Sequence, residues 1–409
     1  MANDNKYIPA LRFPEFQNDG EWKMVYGDEL FEPIVNKNHD SDLPILAITQ
    51  DNGAIPRDDI NYNVIVSDKS IQGYKIVEIG DFIISLRSFQ GGIEYSRYKG
   101  LCSPAYIILR KRFNEVCDDF YRYYFKSYKY IQDLNRNIEG IRDGKMISYK
   151  QFSGIKIPFP RFTEQQKIAD CFVSIDKEID ATKRKLEQLK EYKNGLMQRL
   201  FPAKGKTTPE LRFPDFQNDG EWRTMLLGEI TSVVNRRNKS NRSLPIYSIN
   251  NTDGFVPQSQ QFIGMDSEAR GYDISAYKII GKHTFAYNPA RINVGSIGYS
   301  GELKDILISS LYVCFKTADD VDDNFLMCFF NSYIFNQAVE SSVEGGIRSY
   351  LFYENFSRIS IAIPSLYEQK RIALCITSIE DMIKNANEQI NLLEKHKKGL
   401  LQQLFPTIK

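Results

Sequence analysis

The chain has 409 residues, 42% of them hydrophobic and 13% aromatic, and its 53 Lys+Arg against 52 Asp+Glu leave a net charge of +1. That composition excludes a disordered chain and a uniformly basic nucleic-acid magnet, and the length predicts two or three domains, each able to bury a core. The cysteines Cys102, Cys117, Cys171, Cys314, Cys328 and Cys375 show no CxxC spacing, and with three histidines in the chain a zinc site is not expected. No apolar run approaches the roughly 18 residues of a membrane span, so a cytoplasmic protein with reduced thiols is expected.

In chain order, the first pattern is the peptide Pro9–Trp22, PALRFPEFQNDGEW. Short β-rich segments follow at Leu43–Thr49, Tyr74–Ser85 and Ala105–Leu109, separated by turn signals such as Asn52-Gly53. An aromatic helix is predicted over Asp119–Leu134, its Phe/Tyr face read as core rather than as a base-stacking surface. Thr163 with Gln166 three residues on forms a capping-box signature. Beyond it Ile168, Phe172, Ile175, Ile179, Leu186, Leu189, Leu196 and Leu200 recur at steps of three and four, until Pro202 ends the helix.

The pattern then starts again. Pro209–Trp222, PELRFPDFQNDGEW, repeats the first peptide at 12 of 14 positions. Strand candidates recur at Leu244–Ile249, Tyr277–Tyr287 and Leu311–Phe315, and an aromatic helix at Asn324–Val339. Ser365 and Glu368 cap a second long helix whose stripe is Ile372, Ile376, Ile379, Ile383, Ile390, Leu393, Leu400 and Leu404, stopped by Pro406. Pro160–Pro202 and Pro364–Pro406 agree without a gap at 17 of 43 positions. A period near 200 is too long for a solenoid, so this is a domain duplication.

The expected fold is α+β: two recognition-type domains, each a curved mixed sheet with helices, separated by two long helices packed as an antiparallel coiled coil about a pseudo-twofold axis. The boundaries read from the sequence are 1–160 and 203–362 for the globular domains, and 161–202 and 363–409 for the helices. The helix core should comprise Ile168, Phe172, Ile175, Ile179, Leu186, Leu189, Ile372, Ile376, Ile379, Ile383, Ile390 and Leu393. Lys193 and Lys397 interrupt that stripe at matched positions. Their first reading is that the stems snorkel outward, and the other is that they fix register or meet a partner. The helix faces are charge-balanced, eight Lys/Arg to seven Asp/Glu over 163–200, and so read as spacers and protein contacts rather than DNA arms.

Charge is segregated within the globular domains. Ile84–Pro160 holds fourteen Lys/Arg against seven Asp/Glu, and Arg223–Ser300 nine against five. Such segments can contact phosphates, and Arg, Lys, Asn and Gln can read base edges. The candidates in the first domain are Arg87, Gln90, Arg97, Lys99, Arg142 and Lys145, with Gly91-Gly92 marking a tight loop that approaches a backbone or a phosphate. In the second they are Arg236, Arg237, Lys239, Arg242, Arg291 and Arg348. Arg142 and Arg348 share a matched Gly-Ile-Arg motif, whereas Arg87 has no secure twin and Arg291 is the nearest choice.

Catalytic signatures are missing. There is no Walker A loop, no GxSxG elbow and no adenine-methylation motif, and Asn288-Pro289-Ala290 falls short of the last. Pro214-Asp215 followed by Glu221-Trp222-Arg223 echoes a nuclease PD…ExK set, but neither copy is complete. The peptide reads better as a structural clamp built on Phe13, Phe16 and Trp22.

The order of variable domain, long helix, variable domain, long helix resembles the specificity subunits of type I restriction–modification systems. So do the Leu-Arg-Phe-Pro-x-Phe peptide, the Arg-Ser-Phe-Gln-Gly-Gly-Ile run from Arg87, and the Pro-x-x-x-Glu-Gln helix starts. The resemblance implies a non-catalytic subunit whose domains each read one half of a split double-stranded DNA target while the helices set the spacing. It also implies two modification subunits, which use S-adenosylmethionine, and restriction subunits, which use ATP and Mg; no cofactor is expected on this chain. Two other readings stay open: a bivalent protein scaffold with no DNA role, and a stand-alone enzyme.

Overall fold

A computed structural model describes residues 7–40, 42–60, 71–136, 147–251, 254–261, 266–342 and 350–406. The chain forms two compact units, Met1–Arg184 with Glu388–Lys409, and Lys185–Asn387. Each long helix therefore contributes one end to each unit.

In the first unit the strands are β1 (Lys23–Tyr26), β2 (Phe31–Ile34), β3 (Leu46–Thr49), β4 (Gly53–Pro56), β5 (Lys75–Val77), β6 (Phe82–Ile84), β7 (Glu94–Tyr95), β8 (Gly100–Cys102), β9 (Ile107–Lys111) and β10 (Lys156–Phe159). An antiparallel sheet runs β2-β9-β6-β7, while β3-β4, β5-β8 and β1-β10 pair separately. The central strand β6 is buried at all three positions, which explains its uninterrupted Phe-Ile-Ile run. Its helices include α1 (Asp118–Tyr124), α2 (Tyr128–Arg136), α3 (Tyr149–Ser153) and the start of the long α4 (Phe162–Leu200).

The second unit repeats this plan with β11 (Arg223–Leu226), β12 (Thr231–Val233), β13 (Ile246–Asn250), β14 (Gly254–Pro257), β15 (Lys278–Ile280), β16 (Phe285–Tyr287), β17 (Ile297–Tyr299), β18 (Ile306–Ile308), β19 (Val313–Thr317) and β20 (Ser360–Ile363). Its antiparallel sheet is β12-β19-β16-β17, and a second sheet, β14-β13-β18-β15, is mixed because β13 and β18 run parallel. Helices α5 (Asp323–Phe330), α6 (Tyr333–Ser342), α7 (Tyr353–Phe356) and α8 (Leu366–Gln403) complete it. Matched bonds confirm the common plan: Lys75 Nζ donates to the Tyr106 carbonyl and Lys278 Nζ to that of Tyr312, each at 2.6 Å.

The single aromatic helix expected in each domain is two. Ser127 and Ser332 break the runs, their hydroxyls accepting the backbone N–H of Tyr130 and of Phe335 at 3.3 Å, as N-caps of α2 and α6. The aromatic faces are core: Phe120, Tyr121, Phe125, Phe325 and Phe330 are buried. Each core also takes the Phe of a Leu-Phe-Pro helix end. Phe405 packs on Phe120 at 5.4 Å, and Phe201 on Phe325 at 5.4 Å.

The long helices have 39 and 38 residues, or roughly 58 Å at about 1.5 Å per residue. Within each unit they run antiparallel. In the first, Asp176 meets Lys397 at 2.5 Å and Lys183 meets Glu394 at 2.9 Å. In the second, Lys193 meets Glu380 at 3.0 Å. On the predicted stripe Ile168, Phe172, Ile179, Leu186, Ile372, Ile376, Ile379 and Ile390 are buried, while Ile175, Leu189, Ile383 and Leu393 are half-buried at the seam's margin. Lys193 and Lys397 do not snorkel into solvent. Each reaches a carboxylate on the facing helix, and the two pairs occupy matched positions of the repeat, which favours the register-fixing reading. Among the described residues no helix is long and apolar enough to cross a membrane.

Candidate nucleic-acid interface

The matched peptide at the start of each half is tied to the start of that half's long helix. The Arg12 guanidinium donates to both Glu164 carboxylate oxygens, at 2.7 and 2.8 Å, and to the Gly20 carbonyl at 2.6 Å. Arg212 does the same with Glu368, at 2.8 and 2.8 Å, and with Gly220 at 2.6 Å. Both glutamates are buried, so bidentate pairing satisfies charges that would otherwise be stranded. The adjacent Gln165 and Gln369 accept the backbone N–H of Cys117 and of Asp322, at 2.9 and 2.8 Å. Trp22 and Trp222 are buried, and Asp215 and Glu221 are exposed, with Glu221 accepting from the Thr207 hydroxyl. The nuclease-like letters thus belong to a clamp.

Following β6, Arg87 precedes the single helical turn Ser88–Gly91 at φ −111° and ψ 7°, and Gly92 closes that turn at φ 82°. A Cβ at Gly92 would lie 2.0 Å from the Phe125 carbonyl oxygen, so this glycine serves a close approach to the protein's own backbone. Arg87 and Gln90 are exposed on the turn. The tip of the β3–β4 hairpin lies beside it, with Gln50 Nε2 donating to the Arg87 carbonyl at 3.4 Å.

Lys126 ties these pieces together. Its ammonium donates to the carbonyls of Gln50 and Gly91, at 3.1 and 2.9 Å, and to the buried Glu94 carboxylate at 2.5 Å. Burial pushes the Glu94 carboxyl up to about 7, against the opposing pull of Lys126.

The second unit builds the same feature differently. After β16, Arg291 precedes the 3-10 turn Ile292–Val294 at φ −138° and ψ 14°, and Gly295 closes it at φ 83°. Arg291 is therefore the structural counterpart of Arg87, although the loop lengths differ by one residue. The β13–β14 tip again lies beside the arginine. Ser248, Asn250, Asn251, Asn288, Arg291, Ser296 and Tyr312 line a cleft of about 400 Å³. Asn288 braces the turn, accepting the Arg291 backbone N–H at 3.0 Å on its carbonyl and that of Ala290 at 3.0 Å on its side chain.

The remaining candidates lie elsewhere. Exposed Arg97 and Lys99 occupy the β7–β8 turn, at the far end of the β6–β7 pair from Arg87, where Lys99 pairs with Glu78 at 3.0 Å. Arg236, Arg237, Lys239 and Arg242 cluster ahead of β13, at the opposite end of that strand from Arg291. Asp305 pairs with Arg236 at 3.8 Å and with Arg242 at 3.2 Å, and buried Asn238 bonds the Arg242 backbone in both directions at 2.9 Å. Arg142, Lys145 and Arg348 lie outside the described residues. Sequence reasoning passed over Gln50, Asn251 and Asn288. The first two were within reach, because LPILAITQDNGAIP aligned with LPIYSINNTDGFVP puts Gln50 opposite Asn251 at the hairpin tips.

A family profile described as the type I restriction modification DNA specificity domain matches residues 21–191 and again 220–395. The chain belongs to this family. It is 23% identical over 432 residues to the type I restriction enzyme MjaVIII specificity subunit of Methanocaldococcus jannaschii, covering 98% of this chain and 94% of that one. The putative MjaX specificity subunit of the same organism is 23% identical over 368 residues, 85% of this chain and 82% of that one. The fold resembles the type I restriction–modification S subunit of M. genitalium, with a TM-score of 0.56 at 14% identity over 98% of this chain and all of that one. It also resembles a chain from a type I R-M system studied for complex assembly and conformational transition, with a TM-score of 0.53 at 15% identity over 95% and 98% of the two chains. The chain therefore carries two copies of the DNA specificity domain, and each matched span includes most of a long helix.

Proposed function

We propose that each specificity domain reads one half of a bipartite duplex target, through the arginine turn and the hairpin tip beside it. The observation that carries this reading is that Arg87 and Arg291 occupy one structural position, each beside a tip that differs between the copies, Gln50 in one and Asn251 in the other. Arginine there can bond guanine or phosphate, while Asn and Gln suit adenine edges. Different tips on a common frame fit an asymmetric target. The basic cluster Arg236–Arg242, and Arg97 with Lys99, would serve phosphates and so set orientation rather than sequence. The same role is proposed for Arg142, Lys145 and Arg348.

The antiparallel helices would fix the half-site spacing and dock two modification subunits, with restriction subunits joining them. This chain would choose the site and its partners would perform the chemistry, with S-adenosylmethionine, ATP and Mg held on those partners. Methylome sequencing of cells expressing this chain with its modification subunit should return two short motifs at one fixed separation. A duplex with the separation changed by one or two base pairs should bind far less well. Equal binding at every separation would refute the ruler, and methyl transfer or cleavage by the purified chain alone would refute the division of labour.

A further inference from the structure

In the second unit Tyr350 and Phe352 stack with ring centroids 5.7 Å apart and planes within 6°. Both are exposed, at 41% and 58%, while Leu351 between them is fully buried. The Leu351 backbone N–H donates to the Pro289 carbonyl at 3.0 Å. Pro289 lies two residues before Arg291, so the aromatic pair stands next to the arginine turn and its cleft.

The placement is costly in a way the other copy avoids. Phe352 is the N-cap residue of α7 and provides no side-chain capping bond. The first unit has Ser148 at this place, accepting the Gln151 N–H at 3.2 Å while Gln151 reaches back to the Ser148 N–H at 2.8 Å. A serine here would cap the helix and hide apolar surface, and the second unit instead forgoes the cap to present two parallel rings to solvent.

We propose that Tyr350 and Phe352 form an aromatic wedge with which the second domain contacts a base step of its half-site, beside the contact made by Arg291. This rests on the DNA-reading function proposed above. Flat, parallel rings next to an arginine and an Asn-rich cleft suit a stacked nucleobase, and apolar side chains that enter a base step unstack it and bend the duplex. At the matched positions the first domain has Met146 and Ser148, neither of them aromatic, so the deformation should be confined to one half-site.

The test uses the full chain with its modification subunits and a duplex carrying the motif found by methylome sequencing, with 2-aminopurine placed in turn along the second half-site. Wild type should raise fluorescence at one step. Phe352→Ser should abolish that rise and weaken binding roughly 5- to 150-fold, with an unchanged salt slope because no phosphate contact is lost. Phe352→Ser supplies the cap that Ser148 provides and should stay folded; Tyr350→Ser, away from the cap, should show the same loss, and Phe352→Trp should retain binding. Wild-type fluorescence and affinity in both serine variants would overturn the wedge. So would weakened modification-subunit binding at unchanged DNA affinity, which would make the pair a protein contact. Failure of the unmodified complex to prefer its motif would instead overturn the DNA-reading function itself.

Discussion

Replacing Lys126 by Met isolates what holds the arginine turn of the first domain. In the intact protein the Glu94 carboxyl titrates at about 7 rather than 4.5, because burial outweighs the pull of Lys126. A raised carboxyl means that the native state holds its proton more tightly than the unfolded chain. Stability from this group is therefore complete below about pH 4.5 and falls as pH rises through about 7, by roughly 3 kcal/mol in all. Met at 126 removes the cation that sustains the ionised form, so the carboxyl moves higher still. Near about pH 8 the variant must protonate Glu94 or bury an unpaired charge, costing roughly 2 kcal/mol beyond the lost hydrogen bonds. Near about pH 5.5 both proteins carry a protonated Glu94, and only the ammonium's hydrogen bonds to Gln50, Gly91 and Glu94 are lost, about 1 kcal/mol each. Urea unfolding at the two pH values should thus give a penalty larger by roughly 2 kcal/mol at the higher one. Adding Glu94→Gln to Lys126→Met should erase that difference. An equal penalty at both pH values, or a difference that survives in the double variant, would refute the reasoning.

Two further outcomes follow from the clamp and the helix seam. Arg12→Met leaves the buried Glu164 carboxylate without its bidentate partner and should cost about 3–5 kcal/mol in chemical denaturation; a loss below about 1 kcal/mol would mean that the clamp is not structural. Lys193→Glu should destabilise and Lys193→Glu with Glu380→Lys should restore, with a double-mutant-cycle coupling of about 0.5–1 kcal/mol because both side chains remain partly solvated; zero coupling would remove this pair from any role in register.

What the sequence could reveal tracks how local each signal is. The heptad stripes read true because periodicity within one helix dictates which face is apolar, and Ile168, Phe172 and Ile372 are buried accordingly. The antiparallel direction was reachable only through the symmetry of the repeat. Ser127 and Ser332 were lost within aromatic runs, since an internal N-cap is a single residue among strong core signals. The Arg12–Glu164 link spans 152 residues, and nothing local in either motif requires the two to touch. The pairing of Arg87 with Arg291 was obscured by one residue of loop length, and only the strands on either side supply the register.

The two units share a frame and differ at the turns it carries. The frame uses charge pairs that recur at matched positions: Arg12 with Glu164 and Arg212 with Glu368, then Lys193 with Glu380 and Lys397 with Asp176. Each recurrence constrains both halves together, because a change in one would make the two units unlike. The turns that the frame carries follow the opposite rule. Lys126 anchors the first, where the second has Asn331 at the corresponding place after its helix. Ser148 caps the first, where the second exposes Phe352. Gln50 faces Arg87 in one, and an asparagine-lined cleft holds Arg291 in the other. Differences concentrated at the matched end of each unit's sheet, with the hydrogen bonds of the scaffold preserved beneath them, are what the proposed reading of two different half-sites requires. A protein with one task performed twice would have no physical reason to exchange a helix cap for a solvent-facing aromatic pair in only one of its halves.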